Sequence, residues 1–544
     1  MVFQNKTMHI FYDTLKKNKK TVIILSLIVL AGIFLRTYNF HDWLRFSRDQ
    51  VRDASLISNA LENKNDHLPY LGPNAGVTRF RLGPVYYQFS YISEEIFGNY
   101  PDKMAYPSVF FSILAIPLLF FFLREYFGKN VSLALTAIMS VSYFMIINAR
   151  FSSNPNLIPF FILVYLYSLL KLMDSSGKMA YFWGILIGIG TGICVQLHTT
   201  LLIVLPPMSL VIFFYLWRKK TPDIWKISLV ILAATLVLNT TQIMSEFDSH
   251  WKNTQYFLKG FTSSSGSGSH LGRDTFHIFA CQIQANSHTI SAFSSDDPCN
   301  IIFRDPQGTS AENYKYYFGI TLSVIFSVIG YYLLFRYFFR EKEIKKKRFL
   351  GIIILFNFLS FVILIPIAKI IFVGYFINLY MVPLVLLGLV ILETEKIFGL
   401  WGKGLAAAVV VTLIILCLAR DAKTAQNYMA GLENNSKNST LSEVEHIYQY
   451  ELANMSGIFP KAYLGGQNGL AERFFRPVNY FTKKRGIGTD LLKYDGLDEV
   501  PPESPVFYLR ENESGEIPVG QKVWDREIIT GKKFTGLTVL ILKN

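Results

Sequence analysis

About eleven times along this chain a run of roughly twenty mostly apolar residues recurs, and no feature limits its fold more tightly. A helix of that length spans the ~30 Å hydrocarbon core of a bilayer and satisfies its own backbone hydrogen bonds there. The runs lie near 20–38, 105–124, 130–148, 156–173, 180–197, 199–217, 224–243, 316–338, 349–368, 371–392 and 402–419. With 51% apolar residues over 544 positions, the chain is expected to be a mainly α, polytopic membrane protein.

The net charge of +14 raises the possibility of a nucleic-acid partner, but its distribution argues against one. The basic connectors (Arg124 and Lys129; Lys171 and Lys178; Arg218, Lys219, Lys220 and Lys226; Lys342 to Arg348) all fall on one side if the N-terminus is cytoplasmic, as the positive-inside rule requires. An odd number of spans then places the tail outside. The first run follows Lys16, Lys17, Lys19 and Lys20 as in a signal peptide, but Arg36, Thr37, Tyr38 and Asn39 follow instead of a small-residue cleavage site, so an uncleaved helix is expected. The expected division is a membrane module over 1–420 and a soluble extracytoplasmic α/β or α+β domain over 421–544, in a bacterial plasma membrane.

Two loops share the outer side. In the first, 39–104, Ser47-Arg48-Asp49-Gln50 reads as a capping box opening a helix to about Asn63. A second amphipathic stretch, Pro84–Phe97, carries Tyr86, Tyr87, Phe89 and Tyr91 and suits the membrane interface. The loop at 244–315 holds a flexible-looking Ser/Gly tract, Thr262–Ser269, and two cysteines, Cys281 and Cys299. A disulfide between them is one reading and two free thiols the other. Cys194 and Cys417 lie within apolar spans, as packing residues.

No P-loop, dinucleotide fingerprint, zinc-ligand spacing or serine nucleophile elbow is present. Polar residues instead gather at the outer ends of the spans. Asp49 and Asp53 sit one helical turn apart, interleaved with Arg48 and Arg52; Arg79, Arg81, Arg150, His198, Glu246, Asp248 and Lys369 fall at the same face. Acids and cations converging at an outer lipid–water boundary suit a reaction between a phosphate-bearing lipid and an acceptor.

The stretch from Phe46 to Ala54 (Phe-Ser-Arg-Asp-Gln-Val-Arg-Asp-Ala), followed by Arg81-Leu82-Gly83-Pro84-Val85-Tyr86-Tyr87, resembles the first-loop signature of GT-C glycosyltransferases. The likeness is to the bacterial branch related to protein O-mannosyltransferases and the lipid A aminoarabinose transferase. Arg150 with Asn156-Leu157, the Gly184…Gly192…Gln196-Leu197-His198 span and Phe247-Asp248…Asn253-Thr254 extend it. Gln50 stands where many relatives have a second acid, and Gly83 where many have proline.

The resemblance implies a polyprenyl-phosphate-linked sugar as donor, a lipid, glycan or protein hydroxyl as acceptor, and inversion in one displacement. By position Asp49 matches the general base, with Asp53 beside it as a second catalytic candidate. Arg81, Arg150 and Lys369 are candidates for the donor phosphate; His198, Asp248, Tyr86 and Tyr375 are candidates for substrate contact. No cofactor or metal site is called for, though a divalent metal is compatible with the sequence.

Plainer roles exist for most of these residues. Asp49 in a first helical turn is favoured by the helix dipole in any protein, and Asp53 can be an ion-paired i,i+4 neighbour. Arg150 and Lys369 can snorkel, His198 can end a span, Tyr86 and Tyr87 can form an interfacial belt, and Glu94 and Glu95 can be a solvated face. The rival functions are a lipid-linked substrate transporter or flippase and an envelope polysaccharide polymerase. The chain lacks the matched halves and midplane charges of the former, and its organised loop comes first, not late as expected of the latter.

Overall fold

The computed structural model describes residues 18–63, 67–76, 78–264, 271–291, 299, 310–430, 439–455, 461–493, 500–501, 504–513 and 515–543. Eight of its helices are long and apolar enough to cross a bilayer, or ten if each of two bent pairs is one span: Lys129–Val141 with Tyr143–Ala149, and Ile224–Leu238 with Thr240–Asp248. The last, Met381–Ala430, is 50 residues long and breaks at Gly399, where φ is 56° and ψ is −124°. A Cβ on Gly402 would lie 2.2 Å from the carbonyl oxygen of Thr394, eight residues earlier. In a continuous helix those residues are about 12 Å apart, so the chain reverses at Gly399 into a hairpin. Counting its limbs separately gives at most eleven spans among the described residues. The run at 371–392 is helical only from Met381; its first part is a 3-10 turn, Val373–Leu379.

Two parts of the polar loops depart from expectation. Helix Leu271–Ser291, within the 244–315 loop, does not remain outside the bundle. It buries Gln282, Gln284, Asn286, Ser287, His288 and Thr289 among apolar spans. Its polar groups find partners there: the Gln282 amide donates to the Tyr331 hydroxyl at 2.7 Å, and the Ser142 hydroxyl donates to the Thr289 carbonyl at 2.6 Å. Cys281 and Cys299 are disulfide-bonded, and Cys194 and Cys417 are buried free thiols. The Thr262–Ser269 tract falls largely outside the described residues. The second departure is on helix Val85–Phe97: Tyr86, Tyr87 and Glu94 are 1%, 1% and 2% exposed, so the tyrosines are packed into the protein and Glu94 is not on a solvated face, while Ile92, Ile96 and Phe97 on the same helix are exposed.

Beyond Ala430 the chain forms a small sheet-containing domain from Ser439 onward. Its sheet comprises β1 (Lys461–Gly466), β2 (Gly488–Leu491), β3 (Val506–Glu511), β4 (Lys522–Val523), β5 (Arg526–Lys533) and β6 (Leu537–Leu542) in the order β2-β1-β3-β6-β5-β4. β1 pairs in parallel with β2 and β3, and the remaining pairings are antiparallel. Helices Leu441–Asn454 and Leu470–Lys484 pack on it, giving a mixed α/β domain. One apolar core joins this domain to the first loop: Leu44, Phe46, Val51, Ala54 and Ile57 share it with Phe474, Val478, Phe481, Phe507 and Leu509. The tail and the first loop therefore occupy the same end of the bundle. His41 adds a polar clamp, its Nδ1 3.2 Å from Asp102 Oδ2 and its Nε2 3.2 Å from Glu445 Oε2, and the Tyr100 hydroxyl also donates to Glu445.

Candidate active site

The acid-bearing helix runs Arg48–Glu62, opened by the expected capping box of Ser47 and Gln50. Gln50 is thereby engaged at both ends: its Oε1 accepts from the Ser47 backbone at 3.3 Å and the Ser47 hydroxyl at 2.7 Å, and its amide donates to the Ser152 carbonyl at 3.1 Å. One face of the helix, Val51, Ala54 and Ile57, is buried against the C-terminal domain. The 3.6-residue period then turns Asp49 and Asp53 elsewhere, and both line a cavity of about 1090 Å³.

The two acids differ in environment. The Asp49 side chain is 74% exposed and meets the Arg52 guanidinium at 3.3 Å. Asp53 is 5% exposed, accepting from Arg52 Nε at 2.8 Å and from the Tyr87 hydroxyl at 3.0 Å. Burial pushes its carboxyl up to about 6, against the opposing pull of Arg52 and Tyr87. Asp53, Arg52 and Tyr87 thus form a buried brace, beside which Asp49 presents an accessible carboxylate.

The cavity floor and walls come from distant segments. The 3-10 turn Asn154–Leu157 brings Asn154 and Asn156, Tyr256 and Phe257 come from helix Lys252–Ser264, Ile363 comes from the end of helix Ile344–Leu364, and Pro366, Ile367 and Tyr375 come from the break before the final hairpin. His198, between two spans, accepts from the Thr200 amide at 3.2 Å through Nδ1, which leaves Nε2 carrying the proton of the neutral ring. Burial lowers its pKa to about 4, so it is neutral at pH 7. Its ring meets Tyr375 edge-on at 5.3 Å. The lining combines polar groups, among them Asn148, Asn154 and Asn156, with apolar ones, Phe144, Ile147, Ile203, Ile363 and Ile367.

Of the residues singled out from sequence, Asp49, Asp53, His198 and Tyr375 line this cavity together. Tyr86 lies behind it, its hydroxyl 2.8 Å from Ser152 Oγ. Arg81 and Arg150 do not line it. Arg81 donates to the carbonyls of Gly72 and Leu71 at 2.8 and 3.1 Å, and its backbone is clamped on both sides by the Asn253 amide. Arg150 donates to Leu35 and Asn39 carbonyls at 3.2 Å and lies over the rings of Phe40 and Trp43, joining the first span to its loop. Asp248 is exposed at the end of its helix and outside the lining. The Lys369 side chain is outside what the structure describes; its backbone lies in the turn Ile365–Ile370, beside the lining residues Pro366 and Ile367.

Gly83, where relatives often carry proline, has a local reason. A Cβ there would come within 2.3 Å of Gln196, whose amide oxygen accepts from the Val85 N–H at 3.2 Å. Arg45, Asn148, Asn154 and Thr199 line the cavity without having been singled out. Among the described residues no three His, Cys, Asp or Glu side chains converge as a metal-binding set.

Comparison with known proteins bears on both the sequence and the fold. Residues 82–243 match the dolichyl-phosphate-mannose-protein mannosyltransferase family. The chain is 25% identical over 177 residues to YkcB of Bacillus subtilis (strain 168), whose own mannosyltransferase assignment is provisional. That match covers 32% of this chain and 24% of YkcB. Among solved structures, ArnT from Cupriavidus metallidurans, bound to undecaprenyl phosphate, is similar with a TM-score of 0.56 at 12% identity, over 96% of this chain and 98% of that one. The Archaeoglobus fulgidus oligosaccharyltransferase tethered to an acceptor peptide is similar with a TM-score of 0.50 at 12% identity, over 92% and 70%. The chain is thus an integral membrane protein with the fold of ArnT, whose residues 82–243 match the dolichyl-phosphate-mannose-protein mannosyltransferase family.

Proposed function

We propose that this protein is a glycosyltransferase that moves a sugar from a polyprenyl phosphate to an acceptor hydroxyl at the outer face of a bacterial plasma membrane. The observation that carries this is the cavity itself. Its lining joins an accessible carboxylate, Asp49, to other polar groups and to several apolar side chains. A lipid-linked sugar needs that combination: a dry surface for the chain and hydrogen-bonding groups for the head group. The family match over 82–243, and ArnT holding undecaprenyl phosphate on the same fold, agree with it.

In this reading Asp49 accepts the proton of the acceptor hydroxyl as its oxygen bonds to the anomeric carbon. The bond from that carbon to the phosphate oxygen breaks on the opposite side, so the configuration inverts and polyprenyl phosphate leaves. The Asp53–Arg52–Tyr87 brace holds the helix and its charge in place. Lys369, on the turn that contributes Pro366 and Ile367, is a ligand for the leaving phosphate, whose developing charge a nearby cation stabilises. His198 and Tyr375 contact the sugar. Arg81 and Arg150 act indirectly, by fixing the first loop to the bundle. The acceptor is a lipid, glycan or protein hydroxyl reaching the exposed side of Asp49.

Incubating the purified protein with a panel of radiolabelled polyprenyl-phosphate sugars tests the proposal, scoring sugar released to water or to added acceptor. Release from at least one donor is expected; none from any, with intact protein, would contradict it.

A further inference from the structure

A second cavity, of about 200 Å³, lies between the end of helix Ser310–Arg340 and the first limb of Met381–Ala430. Helix Ile344–Leu364 fixes its place in the bundle. Ile363, at one end of that helix, lines the acid cavity. Ile344, which follows Arg340 after a short connector, begins the helix ~30 Å away, at 1.5 Å per residue. The second cavity is therefore at the opposite end of the bundle. Its lining is layered. Farther from the helix end, Glu393 accepts from the Arg336 guanidinium at 2.6 Å and from the Tyr337 hydroxyl at 2.7 Å. One helical turn nearer the membrane surface come Arg340 on one helix and Lys396 on the other, both exposed. Glu341, the remaining lining residue, accepts from the Glu343 N–H at 2.9 Å. Three cations thus meet two carboxylates, one of them bound to Arg336, so the rim carries a surplus of positive charge.

The same helix ends expose apolar side chains. Phe335 and Phe339 do so on one, Ile397 and Phe398 on the other, and Leu400 and Trp401, just past the reversal at Gly399, are 83% and 88% exposed. At the end of a membrane bundle such residues meet acyl chains and the head-group boundary. A positively charged hollow between spans, beside lipid-facing apolar groups, suits a phosphate that carries hydrocarbon. We propose that this cavity binds the head group of an anionic phospholipid in the leaflet facing away from the acid cavity. Arg340 and Lys396 hold the phosphate, and the acyl chains lie along Phe335 and Phe339. A guanidinium and an ammonium from two helices then share one anion, which ties helix Ser310–Arg340 to the hairpin next to its turn. The site is separate from the proposed sugar donor, because the two cavities share no lining residue.

The test titrates phosphatidylglycerol, and separately phosphatidylcholine with the same acyl chains, into delipidated full-length protein in one detergent, read by native mass spectrometry. The double variant Arg340→Gln/Lys396→Gln is expected to weaken phosphatidylglycerol by about ten- to thirtyfold and leave phosphatidylcholine unchanged. Lys219→Gln/Lys220→Gln is the control for charge alone. It removes two exposed lysines at the same end of the bundle, where Arg348 donates to the Tyr215 hydroxyl at 3.0 Å, and is expected to change phosphatidylglycerol binding less than twofold. Wild-type phosphatidylglycerol binding in the first variant would overturn the assignment, as would an equal loss in the control or an equal loss of both lipids. Glycerol phosphate added as a soluble competitor separates a lipid site from a site for a free anion: no displacement supports the proposal, and displacement of the lipid contradicts it. If the double variant does not fold, the single variants decide, with selective loss in either supporting the site and loss in neither refuting it.

Discussion

Replacing Asp53 with asparagine isolates the energetic cost of the buried brace. Its carboxyl titrates near 6 in the folded protein against an ordinary 3.8, with desolvation the largest cause. A carboxyl whose folded pKa is raised favours folding below its unfolded pKa and loses that contribution as pH rises through the folded value. Between about pH 4 and pH 6 the wild type therefore gives up about 3 kcal/mol at this one residue, the shift multiplied by 1.36 kcal/mol per unit. The asparagine side chain has the same shape and can still accept from the Tyr87 hydroxyl, and Arg52 is 47% exposed, so removing its partner does not strand a buried charge. Asp53→Asn should therefore be more stable than wild type at pH 8, with the advantage shrinking toward zero near pH 4. Thermal melting of both proteins in one detergent across that range measures it. A variant less stable than wild type at pH 8, or a difference independent of pH, would refute the reasoning.

Gly83→Ala should cost about 1–3 kcal/mol, since the new Cβ meets a Gln196 side chain fixed by the carbonyls of Gly192 and Leu238; an unchanged melting temperature would show that the close approach does not matter. His41 is raised to about 10 by its hydrogen bonds to Asp102 and Glu445, so its contribution is full below about pH 6.5 and is lost as pH rises toward 10. Melting of His41→Gln should then fall furthest below wild type at pH 6 and converge with it near pH 10. Reporter fusions after Lys220 and Arg348 should read cytoplasmic and one at the C-terminus extracytoplasmic; a cytoplasmic C-terminus would show that the number of spans has the wrong parity.

The spans were readable because twenty apolar residues in sequence have few other fates, and the capping box because its partners are three residues apart. Polar segments were harder, because their partners lie far along the chain. Helix Leu271–Ser291 is too polar to be read as buried, yet Gln282 finds Tyr331 inside the bundle. Tyr86 and Tyr87 look like an aromatic belt until Ser152 and Asp53 are placed beside their hydroxyls. Charge alone did not reveal that Arg81 and Arg150 hold carbonyl oxygens. Nor did any motif mark Arg45, which lines the cavity from the segment before the acid helix and pairs with Thr440, nearly four hundred residues away in sequence.

The proposed mechanism depends most on Asp49, and transfer by its asparagine variant tests it most directly. General-base catalysis is typically worth about 100- to 10,000-fold in rate. The asparagine retains the side-chain shape, and the capping box of Ser47 and Gln50 does not involve it. Measured with whichever polyprenyl-phosphate sugar the wild type turns over, Asp49→Asn should lose transfer by that factor while still binding donor. Asp53→Asn should be markedly milder. Normal turnover in Asp49→Asn would contradict the mechanism, and an equal loss in both variants would contradict the division of roles between the two acids.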